Sequence, residues 1–545
     1  MILALCQLNY TVGDFNGNAD KIITTIHELK NKKVELAVFS ELSVCGYPPL
    51  DLLEKDEFVE ECLKSVSKIA QECKGIAAIV GSPSFNMKCS GKRLHNTAFY
   101  LAEGTVKKMI HKTLLPDYDV FDEYRFFESA RDWESLNIGG CLTAITICED
   151  IWEEQPWSAK KKLYSQLPLE QITDTKPELI INISASPFSY NQHKFRQDII
   201  KSASKKYRCP VVYVNQCGAN TDLVFDGGSM VVNEKGETVF HAPFFCENVQ
   251  VIDTCECESM PVSLTTTDDT ELIHEAIVLG IRDYFIKSGF SKAVLGLSGG
   301  IDSALVAALA CEALGSENVT GLLMPSQFSS QHSVDDAVKL AENLKMHYRI
   351  LPINNVFESF ENTLSDSFKG TAFGIAEENI QARIRGSLLM AWSNKFGSIL
   401  LNTSNKSEMA VGYGTLYGDM CGAISVLGDV YKTQVYKIAN FINRNKEIIP
   451  QNSITKPPSA ELHIDQKDSD SLPEYDLLDT ILYSYIEENK TVQEIVKQGF
   501  EKAIVEKTIR LVNNNEYKRY QAPPVIRISS KAFGTGRRMP LVGKL

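Results

Sequence analysis

The chain has 545 residues, 44% hydrophobic and 23% charged, a composition that excludes disordered, collagen-like and disulfide-scaffold proteins. The length suits two large domains, or three to four small ones, and each half can bury a full core. Asp and Glu outnumber Lys and Arg by 69 to 56, a formal net charge of −13, which opposes non-specific binding to nucleic acid or anionic membrane and still permits a local basic pocket.

The N-terminal stretch MILALCQLNY is apolar only briefly and lacks a basic flank and a small-residue cleavage pattern, so it reads as a strand and not a signal peptide. No apolar run approaches the roughly 18–20 residues of a membrane span. The 14 cysteines are scattered, with no C-x-x-C and only Cys255 and Cys257 close together; the nine histidines show no H-x-x-x-H spacing. This pattern disfavours zinc and fits buried thiols in a reducing cytoplasm.

In chain order, MILALCQL, VELAVFSE, IAAIVGS, CLTAITIC, ELIINISA and PVVYVNQ predict strands buried on both faces. Amphipathic stretches at 21–30, 54–73 and 194–207 lie between them. Residues 255–270, CECESMPVSLTTTDDT, lack a core pattern and predict a linker. The second half restarts with a helix at 271–286, a strand at 293–297, a Gly-rich turn and a helix at 303–314. VTGLLMP, a helix at 334–344 and YRILPI continue the alternation, which predicts a doubly wound parallel sheet binding ligands beyond its strands' carboxyl ends. The polar segment 454–473 predicts a mobile loop.

Glu41 in FSELSVCGY, Lys112 in HKTLLPDY and Cys148 in TICED each fall at or just after the end of an apolar strand. Attack on an amide needs a thiolate, a base that shuttles protons and a cation or donor for the oxyanion. A carboxylate and an ammonium beside a thiol supply both services, and the ammonium lowers the thiol pKa. Spacing alone makes no motif of them. Their contexts do: SELSVCGYPP, HKTLLPDYDVFDEYRFF and ITICEDIW resemble the nitrilase/carbon–nitrogen hydrolase superfamily over about 250 residues. The resemblance implies an αββα sandwich with Glu41 as base, Lys112 as oxyanion stabiliser, Cys148 as nucleophile and Glu123 as a supporting glutamate, the alternative for Glu123 being a surface helix position. In glutamine-using members a Tyr and a Ser line the substrate pocket, here Tyr118 and Ser186. A basic residue commonly follows that Ser by six positions; this chain has Gln192. A neutral donor makes a bond roughly half as strong as a charge-assisted one, so either glutamine is held more weakly or Lys194 or Arg196 compensates.

VLGLSGGIDSALV, residues 294–306, follows a strand and opens a helix. Its glycines let the backbone approach a ligand, and consecutive N–H groups with the helix N-terminus make an anion nest. It is not a Walker A loop, since no G-x-x-x-x-G-K-[ST] is present. SGGIDS resembles the loop of ATP-pyrophosphatases, which adenylate a carboxyl or carbonyl and release pyrophosphate. Downstream, ENIQARIRG, LLNTSNKSEMAVGYGTLYGD, DVYKTQVY, KPPSAEL and EYKRYQAPP resemble, in order, the synthetase domain of the NAD synthetase family. That resemblance implies ATP binding by Gly296, Leu297, Ser298, Gly299, Gly300, Ile301, Asp302, Ser303 and Thr403. It implies deamido-NAD binding by Asn379, Glu408 and Lys518, and Mg²⁺ held by Asp302 and Glu408. Other readings stay open: a first-turn carboxylate for Asp302, cap or surface positions for Asn379 and Glu408, and a basic surface run, YKRY, for Lys518. Arg527, Lys531, Arg537, Arg538 and Lys544 form a basic tail that either reaches phosphates of a ligand or neighbouring subunit, or is a solvated terminus.

Together the resemblances predict a nitrilase-like αββα domain at 1–254, the linker at 255–270, and a doubly wound α/β synthetase domain at 271–545. The expected substrates are glutamine, deamido-NAD and ATP, with Mg²⁺; no nucleic acid or membrane partner is expected. Ammonia made by the first domain and used by the second implies a sheltered path and a homo-oligomer. The rival readings are a synthetase of the same chemistry acting on another acid, and a nucleotide sensor with inactive sites. Retention of Glu41, Lys112, Cys148 and the whole SGGIDS loop disfavours the sensor.

Overall fold

The chain divides into two units, Met1–Thr267 and Asp268–Leu545. The structure, a computed structural model, describes residues 1–152, 163–191, 193–256, 268–459, 461–463, 466, 468 and 472–543.

In the first unit β-branched and aliphatic runs form two six-stranded sheets. One contains β1 (Ile2–Gln7), β2 (Leu36–Val38), β3 (Ala77–Phe85), β4 (Leu94–Ala102) and β5 (Thr105–His111). The other contains β6 (Ser135–Ile138), β7 (Cys141–Ile147), β8 (Leu179–Ser184) and β9 (Val211–Asn215). A ribbon, β10 (Cys217–Asn220) and β11 (Leu223–Asp226), precedes β12 (Met230–Val232), β13 (Thr238–His241) and β14 (Asn248–Asp253). The sheet orders are β14-β1-β2-β3-β4-β5 and β13-β12-β9-β8-β7-β6. The central strands β1, β2 and β3, and β7, β8 and β9, pair in parallel.

Side-chain alternation along each strand sorts the core. Leu3, Leu5, Leu36, Val38 and Ile79 from one sheet pack against Ile145, Ile147, Ile181, Ile183, Val212 and Val214 from the other. The intervening residues face helices. Ala4, Ala37 and Ala78 meet Ile22 and Ile26 of the helix Phe15–Asn31 and Val59 and Val66 of the helix Asp56–Glu72. Ile180, Val211 and Tyr213 meet Ile199 and Ile200 of the helix His193–Tyr207. The layering is helix, sheet, sheet, helix, as the sandwich expectation had it.

The second unit holds a parallel sheet of β15 (Ala293–Gly296), β16 (Val319–Leu323), β17 (His347–Ile350), β18 (Ile399–Asn402) and β19 (Ile424–Ser425), in the order β17-β16-β15-β18-β19. The chain steps outward from β15 on one side and returns at β18 on the other, so the switch point lies between them. The SGGIDS loop follows β15 and Thr403 follows β18, which puts both at the crevice where such sheets bind ligands.

Some boundaries differ from expectation. The helix after the linker is Asp269–Ser288, and the helix after the glycine turn, Ile301–Leu314, starts at once because Gly300 serves as its N-cap. Of the predicted linker, 257–267 lie outside the described residues; Cys255 and Glu256 belong to a short turn, Thr254–Glu256. The predicted loop at 454–473 begins inside the helix Gln451–Thr455, and 460, 464, 465, 467 and 469–471 of it lie outside the described residues. The solvated-terminus reading of the tail is corrected for its first part, 525–533, while Arg538 is exposed. Val525 bridges Ser425 in parallel, Ile528 and Ser529 donate their N–H groups to Asp429 at 2.8 and 2.7 Å, and Arg527 is buried. Arg537 donates to Glu516 at 2.6 Å; Lys544 lies outside the described residues. No helix among those described is long and apolar enough to cross a membrane.

Candidate active sites

Catalytic geometry in the first unit grows from strand ends. Lys112 directly follows β5, Cys148 directly follows β7, and Glu41 follows β2 by three residues. At Glu41 the backbone passes close over β3: a Cβ on Gly81 would lie 2.3 Å from Leu42 N, so only glycine fits there. Lys112 Nζ donates to Glu41 Oε1 at 2.7 Å and to Glu123 Oε1 and Oε2 at 2.9 and 2.8 Å. Asn96 Nδ2 donates to Glu41 Oε1 at 2.8 Å, the Ala185 N–H to Oε2 at 3.0 Å, and the Tyr47 hydroxyl to Glu123 at 3.0 Å. All of these groups are buried, Glu123 included, so its surface-helix alternative falls.

One ammonium between two carboxylates sets the electrostatics. Burial disfavours the Lys112 charge, but Glu123 and Glu41 outweigh it and hold its pKa well above the usual range. Burial, partly offset by Lys112, pushes Glu123 up to about 7. Burial and then Glu41 raise the Cys148 thiol well above its ordinary value, against the pull of Lys112. Burial thus favours the neutral thiol at Cys148. Its backbone has a φ of +42°, in the left-handed region that a cysteine seldom adopts. Asp150 fixes this turn: it accepts from the N–H groups of Thr113, Leu114 and Ile147 at 3.0, 2.8 and 3.1 Å. The same carboxylate thus ties the Cys148 turn to the segment after Lys112.

Tyr118 and Tyr164 both donate to Glu149 Oε1 at 2.9 Å, a buried carboxylate directly after Cys148. Ser186 is held by Asn215, which accepts from its N–H at 2.9 Å and donates to its carbonyl at 3.2 Å. Gln192 lies outside the described residues. Of its two suggested substitutes, Arg196 is buried in an ion pair with Asp226 and Lys194 points outward on the helix His193–Tyr207. The sequence reading missed Asn96, Tyr47, Glu149 and Asp150. Glu149 and Asp150 stand in the quoted ITICEDIW, whereas nothing in LHNTAFY marks Asn96.

The second unit holds a cavity of about 290 Å³. Every loop residue from Gly296 to Ser303 lines it except Gly299, as do Thr403 and Glu408. Gly299 has φ +77°, and a Cβ there would lie 2.1 Å from the Ser333 carbonyl, so the loop packs flush against the start of the helix Gln331–Leu344. Asn379 accepts from the Thr415 hydroxyl at 2.6 Å, and Thr415 lines the cavity. Lys518 does not line it; its ammonium donates to the Gly412 and Gly414 carbonyls at 2.8 Å each, closing the C-terminal end of the helix Lys406–Val411.

Lys432, from the quoted DVYKTQVY, was also missed. Its ammonium bonds Asp302 and lies 3.5 Å from Glu408 Oε1, while Asn405 Nδ2 donates to Asp302 Oδ1 at 2.9 Å. Burial and the neighbouring Asp302 push Glu408 up to about 8. The two carboxyl groups share the Lys432 ammonium. Two hard oxygen donors lining one cavity fit Mg²⁺, which usually takes one or two carboxylates plus substrate phosphates.

A glycine loop at the switch point of a parallel sheet, in one chain with a Glu–Lys–Cys sandwich, defines an acid-adenylating synthetase joined to an amide hydrolase. Residues 2–254 match the carbon-nitrogen hydrolase family and residues 273–522 the NAD synthase family. The chain is 45% identical to the glutamine-dependent NAD(+) synthetase of Synechocystis sp., over 99% of this chain and 98% of that protein. It is 40% identical to that of Aquifex aeolicus, over 99% of each. The solved structure of the Acinetobacter baumannii glutamine-dependent NAD+ synthetase with adenosine diphosphate matches at TM-score 0.78 and 37% identity, over 99% of this chain and 98% of that one. The Cytophaga hutchinsonii enzyme shares the fold, with TM-score 0.83 at 22% identity over 100% of this chain and 98% of that one. The chain belongs to the glutamine-dependent NAD(+) synthetase family.

Proposed function

We propose that this chain makes NAD from deamido-NAD, ATP and glutamine, with the residues named above in the following roles. The Cys148 sulfur attacks the side-chain amide carbon of glutamine as Glu41 takes the thiol proton. Lys112 holds the developing oxyanion. Glu41 returns the proton to the departing nitrogen, the C–N bond breaks, and ammonia leaves a γ-glutamyl thioester on Cys148. Water, deprotonated by Glu41, then releases glutamate and restores the thiol. Tyr118, Ser186 and Gln192 bind the amino-acid end of glutamine, and Glu123 keeps Lys112 charged and in place.

In the second unit the Gly296–Ser303 loop and Thr403 hold ATP, and Asn379, Glu408 and Lys518 serve the deamido-NAD site. A nicotinate carboxylate oxygen attacks the α-phosphorus and pyrophosphate leaves. Ammonia then attacks the acyl carbon and AMP departs. Asp302 and Glu408 would hold Mg²⁺, which when bound supplies charge neutralisation for the phosphates. Ammonia is mostly protonated near neutral pH and is then no nucleophile, so a sheltered path that keeps it neutral favours transfer. A homo-oligomer enclosing that path follows from the same need.

The observation that carries this reading is the Glu41–Lys112–Glu123 cluster beside a buried Cys148, in the same chain as the switch-point loop. Cys148→Ala tests it: glutamine-driven NAD synthesis should vanish while ammonium-driven synthesis persists. Glutamine-driven synthesis by that variant would refute the nucleophile assignment. Labelled glutamine with excess unlabelled ammonium tests protected transfer, which heavy dilution of the label in NAD would refute.

A further inference from the structure

Among the cations that line the second unit's cavity, Arg385 stands apart. Ala382, Arg385, Gly386 and Leu389 of the helix Ile375–Phe396 all line the cavity, and their spacing of three and four residues places them on one helix face. Asn379 lies one turn earlier on the same stripe. Arg385 Nε donates to the Met324 carbonyl at 3.1 Å, just beyond β16. That bond fixes the guanidinium plane. The Nη1–Nη2 edge has no hydrogen bond or ion pair among the described residues. Asp419 and Glu461 act on Arg385 only through space, and burial outweighs them, drawing its pKa down to about 10.

The other cavity cations are committed differently. Lys432 lies between Asp302 and Glu408, and Lys456 donates to Ser333 Oγ at 2.9 Å, beside the glycine loop. Phosphates there also meet the loop N–H groups and the N-terminus of the helix Ile301–Leu314. Arg385 projects instead from the helix that carries Asn379. A half-buried guanidinium with a free planar edge suits one ligand group above others, a carboxylate gripped by two parallel N–H donors.

We propose that Arg385 grips the nicotinate carboxylate of deamido-NAD and so distinguishes the acid substrate from the amide product; this rests on the function proposed above. A guanidinium has donors and no acceptor. A carboxylate offers it two anionic oxygens. The amide of NAD offers one carbonyl and turns an NH₂ toward a second donor, which leaves both donors unmatched. Conversion of acid to amide therefore removes the grip on the finished product.

The test uses the full-length chain with Arg385→Gln and Arg385→Lys. Binding of deamido-NAD and of NAD is measured by calorimetry without ATP, and KM values are measured with ammonium as nitrogen source. Wild type should bind deamido-NAD more tightly than NAD. Arg385→Gln should weaken deamido-NAD by about 10- to 100-fold, the span of a lost charge-assisted hydrogen bond, with NAD binding and the KM for ATP little changed. Arg385→Lys should fall between, because it keeps the charge and loses the fork. Equal weakening of both dinucleotides, or a rise confined to ATP, overturns the proposal. Should the Gln variant not fold, an unchanged acid-to-amide preference in the Lys variant overturns it as well. A wild-type chain that forms no AMP in response to deamido-NAD would instead sink the proposed function itself.

Discussion

Removing the Lys112 ammonium while keeping its length, as in Lys112→Met, exposes the charge logic of the first unit. Glu41 and Glu123 each touch Nζ at 2.7 to 2.9 Å and both are buried, so the two carboxylates lie within about 6 Å of each other. Two like charges at that distance repel by about 3 kcal/mol at an effective dielectric near 20. Loss of one partner from a buried ion cluster costs about 3–5 kcal/mol. Protonation of one carboxyl relieves the strain, and this fixes the sign of the pH dependence. Without the ammonium the Glu123 pKa rises further above the unfolded value of about 4.3, so the penalty is absent below that pH and grows as pH rises. Calorimetric unfolding of wild type and variant at pH 5.5 and pH 8 measures it, because this readout does not depend on the activity of the first unit. Ammonium-driven NAD synthesis reports the second unit and should keep its thermal midpoint. A loss of stability equal at both pH values, or below about 1 kcal/mol, would refute the assignment of Lys112 as counter-charge to both glutamates.

Glu123→Gln keeps an acceptor for Tyr47 and leaves Lys112 paired with Glu41, so glutamine hydrolysis should fall by about tenfold and survive. Wild-type Glu123 is raised to about 7, so its share of stability is full below the unfolded value of about 4.3 and is lost as pH rises through 7; the variant should flatten melting temperature against pH in that window. Lys432→Met should abolish NAD synthesis from either nitrogen source while glutamate release continues, read by assaying both products together. Asp429→Asn loosens the seat of Ile528 and Ser529 and leaves Lys406 with Glu487 as its one carboxylate. It should cost about 2–3 kcal/mol, seen as a lower melting temperature of the second unit and faster proteolytic trimming of the tail.

Glu41 and Cys148 were legible because each follows an apolar strand, and Lys112 through the HKTLLPDY context alone, since its strand is mostly exposed. Alternation sends Ile110 and Ile147 into the space between the sheets, and Cys148, the next residue, joins that layer through its left-handed turn instead. The supports of the site residues were illegible because long-range register makes them. Asn96 sits 55 residues from Glu41 and becomes its donor only because β4 pairs antiparallel with β5, where the Lys112 N–H meets the Asn96 carbonyl at 2.8 Å. Lys432 finds Asp302 across 130 residues. The tail looked solvated because its own residues offer no acid; its acid is Asp429, 99 residues before Ile528. β5, with lysines and a mostly exposed face, lacked the apolar pattern that marked the central strands.

The two sites use one device to different ends. Each places a lysine between two carboxylates. In the first unit the device is saturated: Glu41 accepts from Lys112, Asn96 and Ala185, Glu123 accepts twice from Lys112 and once from Tyr47, and the Lys112 side chain is 0% exposed. In the proposed function amide cleavage there starts from a neutral amide and ends with neutral ammonia, so the cluster would move protons without having to take up net charge. In the second unit Asp302 and Glu408 remain 19% and 17% exposed to the cavity around a buried Lys432. In the proposed function that pair would face a polyphosphate, whose several negative charges no fixed lysine offsets alone. On the function proposed above, a divalent cation would join this open pair of carboxylates and leave the ammonium to the phosphates. The sealed cluster would lose its preorganisation by such an exchange.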